Sequence, residues 1–144
     1  MNANDVYTAS IEKWRNNRGI GTISYDPNLD LFEPIKIVLG KYFSHNPNNR
    51  ALVIVADNER RDAWATKLLN FEHIDKIAND HLLFVTSDIV VQDNMNGHYE
   101  LVVFDQIDRF LYGSRREILR QKYIKFKFVL GVTNSPDPDD NTLS

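Results

Sequence analysis

The chain contains no cysteine. Disulfides, thiolate metal sites and cysteine nucleophiles are thereby excluded, and the absence fits a reducing compartment. Glycine is scarce, with six in 144 residues, and never falls in the spacing that phosphate-binding loops use. Gly19-Ile20-Gly21 lacks a third glycine and precedes a strand instead of following one, so it is not a dinucleotide fingerprint. No apolar run approaches the ~20 residues of a membrane span. The opening Met1-Asn2-Ala3-Asn4-Asp5 has neither a charged nor an apolar stretch and does not read as a signal peptide. A cytoplasmic location is the expectation. Positive charge is not in excess either: the net charge is −3 and the pI about 5.8. That balance opposes a non-specific nucleic-acid binder but leaves room for a local basic patch. His45, His73, His81 and His98 show no metal-ligand spacing. Ser24, Ser87 and Ser135 lack the Gly-x-Ser-x-Gly context of a nucleophile.

What is present is an ordinary soluble composition, 42% hydrophobic and 26% charged, in a length that suits one domain with a sizeable core. The most informative stretch is Tyr99-Glu100-Leu101-Val102-Val103-Phe104-Asp105-Gln106-Ile107-Asp108-Arg109. Its apolar run is continuous, which suits a strand buried on both faces of a parallel sheet. Asp105 then stands at the carboxyl end of that strand, the edge where open α/β sheets bind ligands.

The rest of the chain alternates in the same way. A helix capped by Asn4 or Asp5 presents Ala9, Ile11 and Trp14. Gly21 to Tyr25 reads as a short strand, and Asp26-Pro27-Asn28 as a turn. Ile35, Val38, Leu39, Tyr42 and Phe43 form one helical stripe, with Pro34 in its first turn. Ala51 to Ala56 is an apolar central strand. Asp57 or Asn58 caps a helix whose inner face is Trp64, Leu68 and Phe71, with Arg60, Arg61, Asp62 and Lys67 toward water. His81 to Thr86 is the next strand, Ser87 or Asp88 a cap, and residues 92–97 a polar loop. Arg115 to Tyr123 reads as a helix with Ile118, Leu119 and Tyr123 inward, and Phe126 to Thr133 as the last strand. Five strand–helix alternations predict a mainly parallel sheet with helices on both faces. The tail after Asn134 holds two prolines and three aspartates, so residues 137–144 are expected to fray.

The residues following the strands are Tyr25-Asp26, Asp57-Asn58, Thr86-Ser87-Asp88, Asp105-Gln106-Ile107-Asp108 and Thr133-Asn134-Ser135. Each acid alone reads as a helix cap. Their order resembles the first RecA-like domain of superfamily 2 helicases, the DEAD-box and DExH group. Tyr7 to Trp14 is similar to the helix before the phosphate loop, and Arg18 to Ile23 to the strand entering it. Leu52 to Asp57 resembles motif Ia, Phe84 to Ser87 the start of motif Ib, Leu101 to Asp108 motif II, and Phe128 to Pro136 the Leu-Gly-Leu-Thr-Ala-Thr-Pro motif III. The resemblance covers nearly the whole chain. It implies a single three-layer RecA-like α/β domain over residues 1–136, with a five-stranded or slightly larger sheet.

The departures from the family pattern bear on activity. A phosphate loop needs glycines for backbone N–H donors, a Lys for the phosphates and a Ser or Thr for Mg²⁺. Ser24-Tyr25-Asp26-Pro27-Asn28-Leu29-Asp30-Leu31-Phe32-Glu33 has none of the glycines, no lysine and three acids. Each like-charge pair with a phosphate costs about 4 kcal/mol at ~4 Å and an effective dielectric near 20. The family's adenine-reading glutamine corresponds to Thr8, and its water-orienting glutamate to Gln106, which cannot act as a base. The resemblance therefore marks Asp105, Gln106 and Asp108 as vestigial catalytic positions. It marks Thr8, Ser24, Asp26 and Thr133 as vestigial cofactor positions, with Asp105 as the remaining metal ligand.

The expectation is a non-hydrolysing binding or scaffold module in a nucleic-acid-processing or viral assembly, without a cofactor. Its partner would be a protein or a second RecA-like domain. The alternative is the ATP-binding part of an ATP-dependent superfamily 2 DNA or RNA helicase, with ATP and Mg²⁺, in which Asp105 holds the metal and Asp108 touches motif III. The basic cluster Arg115, Arg116, Arg120 and Lys122 reads equally as a solvated helix face and as a nucleic-acid or partner contact. A receiver- or flavodoxin-like domain would also have five βα units, but the acidic pair expected directly after its first strand is missing.

Overall fold

The computed structural model describes residues 2–71, 81–86, 97–110, 124–125 and 127–134. The strands are β1 (Ile20–Ser24), β2 (Ala51–Val55), β3 (Leu82–Thr86), β4 (Gly97–His98), β5 (Leu101–Asp105), β6 (Ile124–Lys125) and β7 (Phe128–Thr133). Five of them make one parallel sheet in the order β1-β7-β5-β2-β3. The two continuous apolar runs behave as their patterning requires. Every residue of β2 and β5 is buried, whereas the edge strands β1 and β3 are only partly so. The ladder β4–β6 is a separate two-residue parallel pairing, Gly97 with Ile124 and His98 with Lys125. The sequence places Gly97 in a loop, and nothing in its composition signals this pairing.

Three α-helices are described: α1 (Ala3–Asn16), α2 (Phe32–His45) and α3 (Asn58–Lys67). Their buried residues pack with Val53, Val55, Leu101, Val103, Leu130 and Val132 in one cluster. All three thus cover the same face of the sheet. The second face is buried as well, at Leu52, Ile54, Val102, Phe104 and Val129, with Tyr99 and Ile107 against it. The stripe from Ile35 to Phe43 is buried along α2 as its period predicts.

Helix starts follow local hydrogen bonding. The α1 cap is Asn2, whose side chain accepts from the Asp5 N–H at 2.9 Å, and not Asn4 or Asp5. Asp57 caps α3 by accepting from the Arg60 N–H at 2.8 Å. The predicted cap at Ser87 or Asp88, the helix from Arg115 to Tyr123 with its basic cluster, and the tail 137–144 lie outside the described residues.

Candidate functional site

Because β7 lies between β1 and β5, the carboxyl ends of the three strands stand side by side, with Ser24 opposite Thr133 and Asp105 opposite Val132. Asp105 shares the parity of Leu101 and Val103, so its side chain faces the helices. It is fully buried, and a buried carboxylate requires a partner. Arg60 supplies one. Its Nε donates to Oδ2 at 2.6 Å and its Nη2 to Oδ1 at 3.0 Å, a bidentate fork. The indole Nε1–H of Trp64 donates to Oδ2 at 2.8 Å. The Arg60 guanidinium also lies 3.7 Å from the centre of the Phe32 ring, and that ring meets Trp64 edge-on at 4.9 Å.

Arg60 therefore does not face water as the periodicity of α3 suggests; its side chain is only 17% exposed. The missed signal was spacing. Arg60 and Trp64 are four apart and share one helix face, so an inward Trp64 brings Arg60 with it, toward an acid at a strand end.

A second network joins this one. Gln106 has φ 61°, a left-handed conformation uncommon for a side chain of its kind. Its Oε1 accepts from Arg109 Nη1 at 3.2 Å, and Arg109 Nη2 donates to Asp57 Oδ2 at 2.7 Å. Asp108 accepts from the Thr133 hydroxyl at 2.7 Å, joining the segment after β5 to the end of β7.

Between β1 and α2 the chain turns on its own side chains. Asp26 Oδ1 accepts from the Asn28 N–H at 2.9 Å, and Asp30 Oδ1 from the Phe32 N–H at 2.8 Å. The Leu29 N–H donates to the Asp26 carbonyl, and the Tyr25 N–H to the Thr133 carbonyl. The Asn134 amide reaches the carbonyls of Asp26 at 2.9 Å and Leu29 at 3.2 Å, with Tyr25 more distant at 3.5 Å. Tyr25 is buried, its ring edge-on to Tyr7 and its hydroxyl 2.6 Å from that of Ser10. Burial pushes this phenol up to about 12, against the Ser10 hydrogen bond that lowers it. The Tyr7 hydroxyl donates to the Asp30 carbonyl at 2.7 Å.

No protein-family model matches the chain, and no curated protein matches it. A solved structure matches in shape. The SWI2/SNF2 ATPase core of Sulfolobus solfataricus, determined in complex with double-stranded DNA, aligns with 93% of this chain at a TM-score of 0.71 and 17% identity. The fold is RecA-like, a parallel α/β sheet covered by helices. The chain spans 31% of the length of that protein, and at that identity the likeness concerns the fold.

In a RecA-like frame the helix after the first strand opens on the Lys and Ser/Thr of the phosphate loop. Here α2 opens after Asp30 and Leu31, with Phe32 as its first residue. Leu31 and Phe32 are both buried. Of the positions marked vestigial, Asp105, Gln106, Asp108 and Thr133 gather at one edge, with Ser24 and Asp26 at the end of β1 beside them. Ser24 and Asp26 are exposed, and Thr8 lies exposed on α1. Among the described residues no three His, Asp or Glu side chains gather where a metal ion could sit. Arg115, Arg116, Arg120 and Lys122 lie outside the described residues. No described helix is long and apolar enough to cross a membrane.

Proposed function

We propose that this protein is a helicase-type RecA-like domain that does not bind or hydrolyse ATP and that serves as a binding or scaffold module. The observation that carries the reading is the engagement of Asp105. The acid that would hold Mg²⁺ is fully buried and accepts three hydrogen bonds, two from Arg60 and one from Trp64. A cation there must displace a bidentate guanidinium, and the freed Arg60 charge must find another home in a site that Phe32 and Trp64 enclose.

The loop after β1 supports the same reading. Its carbonyls converge on Asn134, and its acids cap their own N–H groups. A phosphate cradle requires the opposite polarity, with N–H groups converging on the ligand. ATP and Mg²⁺ therefore do not fit these residues, and no catalytic step is assigned to them. The edge that would close on nucleotide is instead a set of ion pairs and hydrogen bonds holding β5, α3 and β7 together. What remains usable is the surface of an intact sheet-and-helix frame. The partner is a protein or a second RecA-like domain within a nucleic-acid-processing or viral assembly, in a cytoplasmic setting. Contact with nucleic acid fits the DNA carried by the SWI2/SNF2 core.

Titration calorimetry with MgATP tests the reading. No saturable heat is expected, and a micromolar dissociation constant or any turnover would sink it. The Asp108–Thr133 hydrogen bond and the 31% span of a longer ATPase core favour a second reading, the ATP-binding part of an ATP-dependent superfamily 2 helicase. In that case Asp105→Ala abolishes the activity of the full assembly. Unchanged activity rejects it.

A further inference from the structure

The opposite edge of the sheet carries a feature that the helicase resemblance does not use. A cavity of about 300 Å³ opens where the amino ends of β5 and β7 meet the carboxyl ends of α1 and α2. Leu101 and Phe128, paired first residues of β5 and β7, form part of its wall with Trp14 and Val38. It lies a strand's length from Asp105, ~13 Å at the usual rise per residue. Its volume is at the lower end of small-ligand pockets, and its mixture of apolar wall and few polar groups is the usual one for them.

The charged groups around it are mainly of one sign. Arg15, Lys41 and His45 line the cavity. The Lys127 ammonium lies 5.2 Å from the centre of the Phe128 ring, adding a fourth basic side chain beside that wall. His45 Nδ1 is 2.9 Å from the Lys41 carbonyl, which ties the ring to the last turn of α2. Two acids stand nearby. Glu12 meets Arg15 at 3.6 Å, but both side chains are more than half exposed, so water screens the pair. Glu100 raises the pKa of Tyr42, after burial the largest influence on that phenol, but Glu100 is not among the lining residues. Tyr42 therefore contributes a ring and a neutral hydroxyl to the wall, not a negative charge.

We propose that this cavity binds a small organic anion with an apolar body, a carboxylate on an alkyl or aryl chain. The chain is taken up between Trp14, Val38, Leu101 and Phe128, and the carboxylate stays at the mouth with Arg15, Lys41 and His45. Burying the apolar body supplies the affinity, and the mainly basic rim supplies the discrimination against cations.

The test is an NMR titration of the intact chain with octanoate, with octyltrimethylammonium as the charge-reversed control. Octanoate is expected to shift the Trp14 indole N–H and the Gly19 amide saturably, and the control is not. Reversing two rim charges together, Arg15→Glu with Lys41→Glu, is expected to weaken octanoate roughly tenfold, because attraction at the rim becomes repulsion. Both positions are at least partly exposed, so the amides of β2 and β5 should keep their shifts and report an intact fold. Failure of octanoate to saturate, equal shifts with the cation, or undiminished binding by the double variant would each overturn the proposal. The readout is independent of MgATP, so its failure is separable from failure of the proposed function.

Discussion

Arg60 carries more of this structure than its place on a polar helix suggests. It is the only described cation on the fully buried Asp105, and it stacks on Phe32 at the same time. Arg60→Ala leaves a buried carboxylate with only an indole donor, and a loss of about 3–5 kcal/mol is expected in urea unfolding. Phe32→Ala removes the ring that supports both Arg60 and Trp64, with an expected loss of about 3–5 kcal/mol. Tyr25 contributes a pH dependence. Its folded-state value of about 12 lies above the ordinary 10.0, so the folded form holds its proton more tightly. The stabilisation is complete below pH 10.0 and is lost as pH rises through about 12. Tyr25→Phe should flatten the alkaline fall in stability over that window, in denaturant unfolding at a series of pH values. At neutral pH it costs about 1 kcal/mol through the lost Ser10 partner. Tyr7 is also raised, chiefly by burial, so the flattening is partial.

At the scale of elements, the segment between β1 and α2 carries much of the proposed loss of nucleotide binding. Its composition was legible in the sequence, because an absent glycine and lysine are visible at once. Its path was not. That Asn134, from beyond β7, ties the carbonyls of Asp26 and Leu29 depends on a contact more than a hundred residues apart in sequence. Asn134→Ala should cost about 1–2 kcal/mol and speed amide exchange of Leu29, leaving β2 and β5 protected, as hydrogen exchange would show. Restoring a partial motif should fail for the same reason. The triple variant Asp30→Gly, Leu31→Lys and Gln106→Glu is expected to show no ATP turnover in a phosphate-release assay, because Asp105 remains bound to Arg60 and Trp64. Measurable turnover would mean that the ion pair yields to Mg²⁺. Helix α3 shows the converse limit. Its N-cap, as Asp57 or Asn58, and its inward Trp64 were readable from pattern, but the polar partner that Trp64 brings inward was not, since a helical period sorts residues by hydrophobicity and Arg60 counts as polar.

On the scale of the whole molecule, the parallel sheet was readable because β2 and the first four residues of β5 are continuously apolar, which only a two-sided burial explains. The strand order was not readable. It arises from crossovers that place β7 between β1 and β5, and no local feature of Phe128 to Thr133 encodes that insertion. This placement is what brings Thr133 to Asp108 and sets the ends of three strands in a row. The frame of a RecA-like domain is thus built from long-range burial, and its carboxyl edge is held by the Arg60–Asp105, Arg109–Asp57 and Thr133–Asp108 pairs. The most direct test follows the Arg60 Nε–H and the Trp64 Nε1–H by nitrogen-15 NMR while MgATP is added. Both resonances are expected to stay in place up to millimolar nucleotide, with Asp105 still their acceptor. Saturable movement of both together would show that nucleotide and metal displace the ion pair, and would contradict the proposed loss of function.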